Sequence, residues 1–232
     1  MGSNLLTQRQ KAILVGSLLE DATVELRWKN ARARFAHSVI QKEYLFWKHK
    51  EFCTIATAEP QFVRQTIHWQ TGKIYTNWHF STKALPELNN YRHLFYQGGK
   101  KIVPDDIENL LTDPLSLAVW IMDDGYKRND CDAVRISTES FSLQEHQLLI
   151  KCLKLNFGLH ARTHCKSKWF NLYIPQPEMT RLRILIEEYV IPSMRYKIYP
   201  VTTEPSYRMM QRRDSPEFSG LSYANTAVLL NR

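Results

Sequence analysis

Cysteine is scarce: the 232 residues contain four, Cys53, Cys131, Cys152 and Cys165, with no Cys-x-x-Cys among them. That spacing argues against a zinc cluster or a disulfide framework and reads as small buried or half-buried residues of a reducing compartment. The eight histidines are equally scattered. No run of 18 uncharged apolar residues occurs, and Met1-Gly2-Ser3-Asn4 begins neither a basic nor an apolar leader. The expectation is a soluble intracellular protein with no membrane partner. Acidic charge is in deficit, 23 Asp and Glu against 31 Lys and Arg, for a formal charge of +8. Such a surplus favours a polyanionic partner without naming it.

What is present is a stretch that occurs twice. Leu14-Val15-Gly16-Ser17-Leu18-Leu19-Glu20-Asp21-Ala22 and Leu117-Ala118-Val119-Trp120-Ile121-Met122-Asp123-Asp124-Gly125 are apolar runs that end in an acid followed by a small residue. An aspartate at the end of an apolar helix can be solvated by water, a metal or a cation, whereas in its middle it could not. Two such helices packed side by side would bring Asp21 and Asp124 together, a cluster that a cation stabilises. The 103 residues between these acids point to two similar halves.

Taken in order, residues 8–21 predict a helix in which Gly16 suggests close approach by another backbone. Residues 32–39 alternate as a strand, and 41–52 form an aromatic-rich helix. Strands follow at 64–70 and 73–80 with Thr71-Gly72 as a hairpin turn, then a helix over 85–96. A basic connection through Pro104 forms a linker, 97–113. The order then repeats: a helix over 114–124, a strand over 133–140, a helix over 143–155 opened by Ser142-Leu143-Gln144-Glu145, strands at 161–166 and 169–174, and a helix over 177–189. Shorter strands or loops at 27–30 and 127–130 would complete a duplicated α-β-β-α-β-β-α order. The fold class is α+β, with halves 1–96 and 114–200 and an extension, 201–232, whose pattern decays.

One face of each sheet is rich in hydrogen-bonding groups. In the first half these are Arg32, Arg34 and Ser38, then Arg64, Thr66, His68 and Gln70, then Lys73, Tyr75, Asn77 and His79. In the second they are Arg135, Ser137 and Glu139, then Arg162, His164 and Lys166, then Trp169, Asn171 and Tyr173. Lys100 adds charge between them. For any one of these taken alone, the competing reading is a merely solvated face. Together they suit double-stranded DNA, whose major groove presents a donor and acceptor code to a strand ribbon while basic groups meet phosphates. Hydrolysing a phosphodiester needs an activated water and a stabilised leaving oxygen, which divalent ions held by carboxylates supply. Oxygen ligands at Asp21 and Asp124 favour Mg²⁺. Lys101 and Lys197, each following a helix in its own half, are candidates to orient water or stabilise phosphate charge.

The two motifs, their separation and the phrase Leu117 to Lys127 resemble the single-chain, two-motif LAGLIDADG homing endonucleases. The likeness runs from about residue 10 to 200. Its phrases Lys100 to Pro104, Asn109 to Pro114 and Ile191 to Lys197 look most like the omega-intron branch. That resemblance implies a duplicated fold, a pseudo-twofold monomer with two antiparallel sheets joined by the motif helices. It also implies that Asp21 and Asp124 bind the metals, and that Lys101 and Lys197 act beside them. Glu20 and Asp123 would then give electrostatic support. Mg²⁺ would be the working ion, Mn²⁺ a substitute, and Ca²⁺ an occupant that does not support efficient cleavage. The implied reaction is double-strand cleavage of a duplex site of about 14 to 24 base pairs, bent near the cut, leaving four-base 3′ overhangs and initiating intron mobility. The alternatives are a maturase that binds intron RNA and a noncatalytic DNA-binding regulator. Retention of both acids argues against the regulator. A mitochondrial or chloroplast residence would follow if the gene is organellar, and a cytoplasmic or nucleoid-associated one otherwise.

Overall fold

Two long helices, α1 (Gln8–Leu18) and α5 (Pro114–Asp124), lie at the centre and are buried along nearly their whole length. Each has a defined start. Thr7 forms a capping box with Gln10, and the Asp113 carboxylate accepts from the Leu115 N–H ahead of Pro114 at the first helical position. Their mutual approach depends on Gly16. A Cβ there would collide with the Ser116 carbonyl oxygen and lie 3.0 Å from Val119 Cβ. The missing side chain on α1 therefore accommodates Val119 on α5.

In this computed structural model residues 6–67, 74–166 and 169–199 are described, without the side chains of 64–67, 74, 75 and 166. They fall within one compact unit, Met1–Pro200. The first half is α1, β1 (Thr23–Arg27), β2 (Asn30–Ser38), α2 (Lys42–Phe52), β3 (Gln61–Ile67), β4 (Ile74–Ser81) and α3 (Pro86–Phe95). A hairpin of β5 (Tyr96–Gln97) and β6 (Lys100–Lys101) and a single turn, α4 (Ile107–Leu110), lead to α5. The second half continues with β7 (Gly125–Lys127), β8 (Val134–Ile136), α6 (Leu143–Phe157), β9 (Arg162–Lys166), β10 (Trp169–Ile174) and α7 (Met179–Ile186).

Each half builds an antiparallel four-stranded sheet in the same order, β1-β2-β4-β3 and β7-β8-β10-β9. This is the expected duplicated α+β architecture. In β2 the alternation holds: Ala31, Ala33, Phe35 and His37 are buried, whereas Arg32, Arg34 and Ala36 are half-buried and Ser38 is exposed. Phe35 stacks on Phe80 of β4 with centroids 4.9 Å apart, and Phe52 of α2 closes the cluster. The core side of each sheet thus faces its helices and the polar side is left open.

Several boundaries differ from the sequence reading, among them the end of α1 at Leu18 rather than 21, the start of β3 at Gln61 rather than 64, and the span of α7 over Met179–Ile186 rather than 177–189. The segments at 27–30 and 127–130 are the ends of hairpins whose first strands, β1 and β7, begin directly after the motif acids. The strand expected over 133–140 is three residues long, because the chain turns at Thr138 and Phe141 into the Ser142 cap of α6. Glu139, expected on a strand face, is an exposed loop residue. The linker is not featureless: it carries the β5–β6 hairpin and α4. Gly158 ends α6 at φ +64°, the left-handed position that favours glycine. The turn at Thr71-Gly72 lies outside the described residues, as does the extension from 201.

Replacing Gly16 by valine forces Cβ and its methyls into the Ser116 carbonyl. Overpacking of this kind costs about 1–3 kcal/mol, against a helix-propensity gain of only a few tenths. The expected outcome is a lower urea midpoint for G16V with G16A between it and wild type. An unchanged midpoint for G16V would refute the close contact.

Candidate metal and nucleic-acid site

The turn after α1 and the last turn of α5 deliver four carboxylates to one place: Glu20, Asp21, Asp123 and Asp124. Their environments differ. Asp21 keeps 35% of its side-chain surface exposed, whereas the Asp123 side chain is wholly buried. Loss of hydration, with Asp123 close by, raises the Asp21 carboxyl above the usual carboxylate range. Burial and then the charge of Asp21 raise Asp124 further still. Asp124 Oδ2 is buried with no hydrogen-bond partner. Two carboxylates held toward protonation by burial and by neighbouring acids, one with an unsatisfied buried oxygen, describe a position short of positive charge.

The candidate lysines sit on either side of this pair in matching ways. Lys101, on β6, donates to the Glu20 and Ala22 carbonyl oxygens, the latter at 2.8 Å. Lys197, on a 3₁₀ turn over Pro192–Lys197, donates to the Asp123 carbonyl oxygen at 2.6 Å. Glu20 and Asp123 hold the same place in the two motifs, so each lysine grips its own copy at an equivalent carbonyl. Burial lowers both ammonium groups, and the surrounding carboxylates oppose that shift. The structure therefore brings Asp21, Asp124, Lys101 and Lys197 into one cluster.

The residues next to the aspartates are bound across the two halves. Glu20 accepts from Ser140 Oγ of the second half at 2.7 Å. Asp123 accepts from Lys48 Nζ of the first half at 2.7 and 3.0 Å. Lys48, His37 and Ser140 had no place in the sequence reading of the site. Yet Lys48 falls on the Tyr44, Lys48, Phe52 stripe of α2, and His37 on the apolar side of β2. A charged residue on a buried stripe signals a buried partner. Burial, followed by the positive charge of Lys48, pushes His37 down to about 3. His37 is therefore neutral, and its approaches to Asp21 at 3.4 Å and Asp123 at 3.7 Å are not ion pairs.

The donor set fits a divalent cation. Asp21, His37 and Asp123 place one ligand atom each within 4.8 Å of one another, although Lys48 already takes both Asp123 oxygens. Asp21 and Asp124 offer the oxygen pair that remains, and a hard ion suits it.

On the open face of the first sheet, Arg32 and Arg34 lie with Ser38, Asn77 and His79 by the β2–β4 register. Glu25 of β1 holds Arg32 at 2.9 Å, Arg27 at 3.4 Å and Arg34 at 3.8 Å. Arg64, Thr66 and Tyr75 have side chains outside the described residues, and His68, Gln70 and Lys73 lie wholly outside them. In the second sheet the register aligns Arg135 with Tyr173, Tyr173 with Arg162, and Asn171 with His164. Arg135 Nη2 is 3.1 Å from His164 Nε2, and Trp169 is exposed. Ser137 is half-buried just past β8, Lys100 is exposed on β6, and the Lys166 side chain lies outside the described residues. Asn171 corrects the expectation of an exposed polar group. It is buried, and its Oδ1 accepts from the Thr138 N–H at 3.4 Å, so its amide closes the end of the shortened β8.

Comparison with known proteins bears on this arrangement. The profile of the LAGLIDADG DNA endonuclease family matches residues 11–182. The cytochrome b mRNA maturase bI2 of Debaryomyces hansenii is 32% identical over 191 residues, covering 80% of this chain and 72% of that protein. Its namesake in Saccharomyces cerevisiae is 28% identical over 199 residues, 81% of this chain and 46% of that protein. The DNA endonuclease I-ChuI of Chlamydomonas applanata is 29% identical over 211 residues, 83% and 95% of the two chains. Among solved structures, the homing endonuclease I-WcaI bound to its DNA recognition sequence superposes with a TM-score of 0.77 at 23% identity, covering 86% of this chain and 88% of that one. These likenesses run to intron-encoded endonucleases and maturases and do not single out the omega-intron branch. With two motif helices meeting at a carboxylate cluster between two matching sheets, and a family profile spanning most of its length, the chain belongs to the LAGLIDADG DNA endonuclease family.

Proposed function

We propose that this chain is a site-specific homing endonuclease that hydrolyses both strands of a long duplex. The observation that carries this reading is the convergence of Asp21 and Asp124 from the two motif helices, at the junction of two sheets with open polar faces. A single chain supplies both halves, 1–96 and 114–200, with 97–113 between them. A monomer therefore suffices, each half serving one strand of a site of about 14 to 24 base pairs. A divalent ion bound at the pair would acidify water and stabilise the departing oxygen, with Mg²⁺ as the working ion. Lys101 and Lys197 hold positive charge beside the strand to be cut. A four-base 3′ overhang and a role in intron mobility follow from the family resemblance. Among the described residues no helix is long and apolar enough to cross a membrane. Residence in a mitochondrion accords with the cytochrome b relatives.

The maturase names of two relatives favour a second reading, splicing of intron RNA by the same fold. Cleavage of a duplex library and splicing of a cognate intron transcript are separate assays that sort these readings. Neither activity excludes the other.

D21N and D124N are each expected to slow cutting of one strand by on the order of 10³-fold, since metal-based charge stabilisation is worth several kcal/mol. A supercoiled plasmid bearing the site should then accumulate as the nicked form, and the double variant should do neither. Full double-strand cutting by the double variant refutes the assignment. K101M and K197M should lower the cleavage rate on the order of 10²- to 10³-fold with little change in duplex affinity, measured by single-turnover kinetics beside a binding titration in Ca²⁺. A loss confined to affinity would make these lysines binding groups only. E25Q frees Arg27, Arg32 and Arg34 for phosphates, so duplex binding should tighten and its salt dependence steepen by about one unit of slope per phosphate gained. An unchanged slope would remove the first sheet's arginines from the interface.

A further inference from the structure

The Lys48 ammonium is fully buried in the first half, yet its carboxylate partner belongs to the second motif helix. It lies 3.1 Å from His37 Nε2 and 4.5 and 5.6 Å from the ring centres of Tyr44 and Phe35. Burying a lysine and an aspartate together is costly, and an apolar pair of the same volume is often as stable. The pair therefore calls for a role beyond packing. The ligand atoms of Asp21, His37 and Asp123, all within 4.8 Å of one another, could be bridged by one cation. The ammonium already takes both Asp123 oxygens. Because a lysine only donates, it also takes the His37 Nε2 lone pair, which puts the ring proton on Nδ1, 3.2 Å from Gln41 Oε1 and 3.4 Å from Asp21 Oδ2. Neither His37 nitrogen is then free to bind a metal.

We propose that Lys48 is a positioning residue whose ammonium occupies the cation place between Asp123 and His37, excludes a metal ion from it, and leaves Asp21 and Asp124 as the divalent-ion pair. The reading of Asp21 and Asp124 as metal ligands underlies this. Without Lys48, an imidazole and two carboxylates would form a site that suits Zn²⁺ far better than Mg²⁺, beside the working one. Lys48 thus sets which ion, and which carboxylates, the centre uses.

The test is ion binding by the full chain, apart from DNA cleavage. Zn²⁺ is titrated calorimetrically into wild type, K48M, K48Q and K48M/H37A, with circular dichroism to establish folding. K48M and K48Q should each gain one Zn²⁺ equivalent, bound at least ten-fold more tightly than any in wild type, and K48M/H37A should lose it. Folded K48M and K48Q with the wild-type isotherm would overturn the proposal, as would a gained site that survives H37A. Failure of both single variants to fold would make the pair purely structural and overturn it too. The underlying reading has its own readout: Mn²⁺ binding by electron paramagnetic resonance should weaken in D21N and in D124N. Mn²⁺ binding unaltered by either change would defeat the ligand assignment whatever the zinc result.

Discussion

Everything at the centre of this molecule follows from how closely α1 can approach α5. A glycine at position 16 lets the Ser116 carbonyl and Val119 sit where a side chain would otherwise stand. That approach carries both helix ends into the same small volume. Four carboxylates arrive there together, and the cost of burying like charges then governs the surroundings. Three lysines answer it, Lys48, Lys101 and Lys197, each from a different element. Burial, and then four carboxylates facing only three cations, leave Asp21 and Asp124 raised and Asp124 with an unpaired oxygen. The centre is thus built to accept one more positive group.

The two motif copies are alike in backbone and unlike in side-chain wiring. Lys101 and Lys197 hold equivalent carbonyls of the two copies. The neighbouring acids diverge: Glu20 meets a hydroxyl at the surface, whereas Asp123 meets a buried ammonium. Each bond crosses to the opposite half, so neither half completes its own acid environment. The open sheet faces show a comparable balance. Glu25 neutralises arginines that would otherwise repel one another, and a phosphate backbone can replace it at each of them.

Much of the architecture was legible in the sequence because period and punctuation agree with burial. The alternation of β2, the Ser142 capping box and the span of α5 follow from local patterns. The misplaced features are those whose cause is not local. β1 and β7 are short and begin on the heels of the motif acids, so no alternation develops before the partner strand pairs with them. β8 stops early because the chain turns at Thr138 toward the Ser142 cap, where the Thr138 N–H is met by the Asn171 side chain from a segment 33 residues away. Asn171 keeps the parity of an outward-facing residue, but the bond buries it.

The repeated acid-terminated run determined, by itself, that two helices pair and that Asp21 and Asp124 meet, since apolar faces seek each other and carry their ends along. Composition and strand parity determined which faces are polar. Only the tertiary structure decided that Lys48 and His37 reach the second motif from the first half, that Asp123 is thereby taken up, and that Glu25 holds three arginines. The Lys48–Asp123 pair joins groups 75 residues apart in the chain, and the energy of a buried charge depends on its partner's distance in space and on how far both are withdrawn from water.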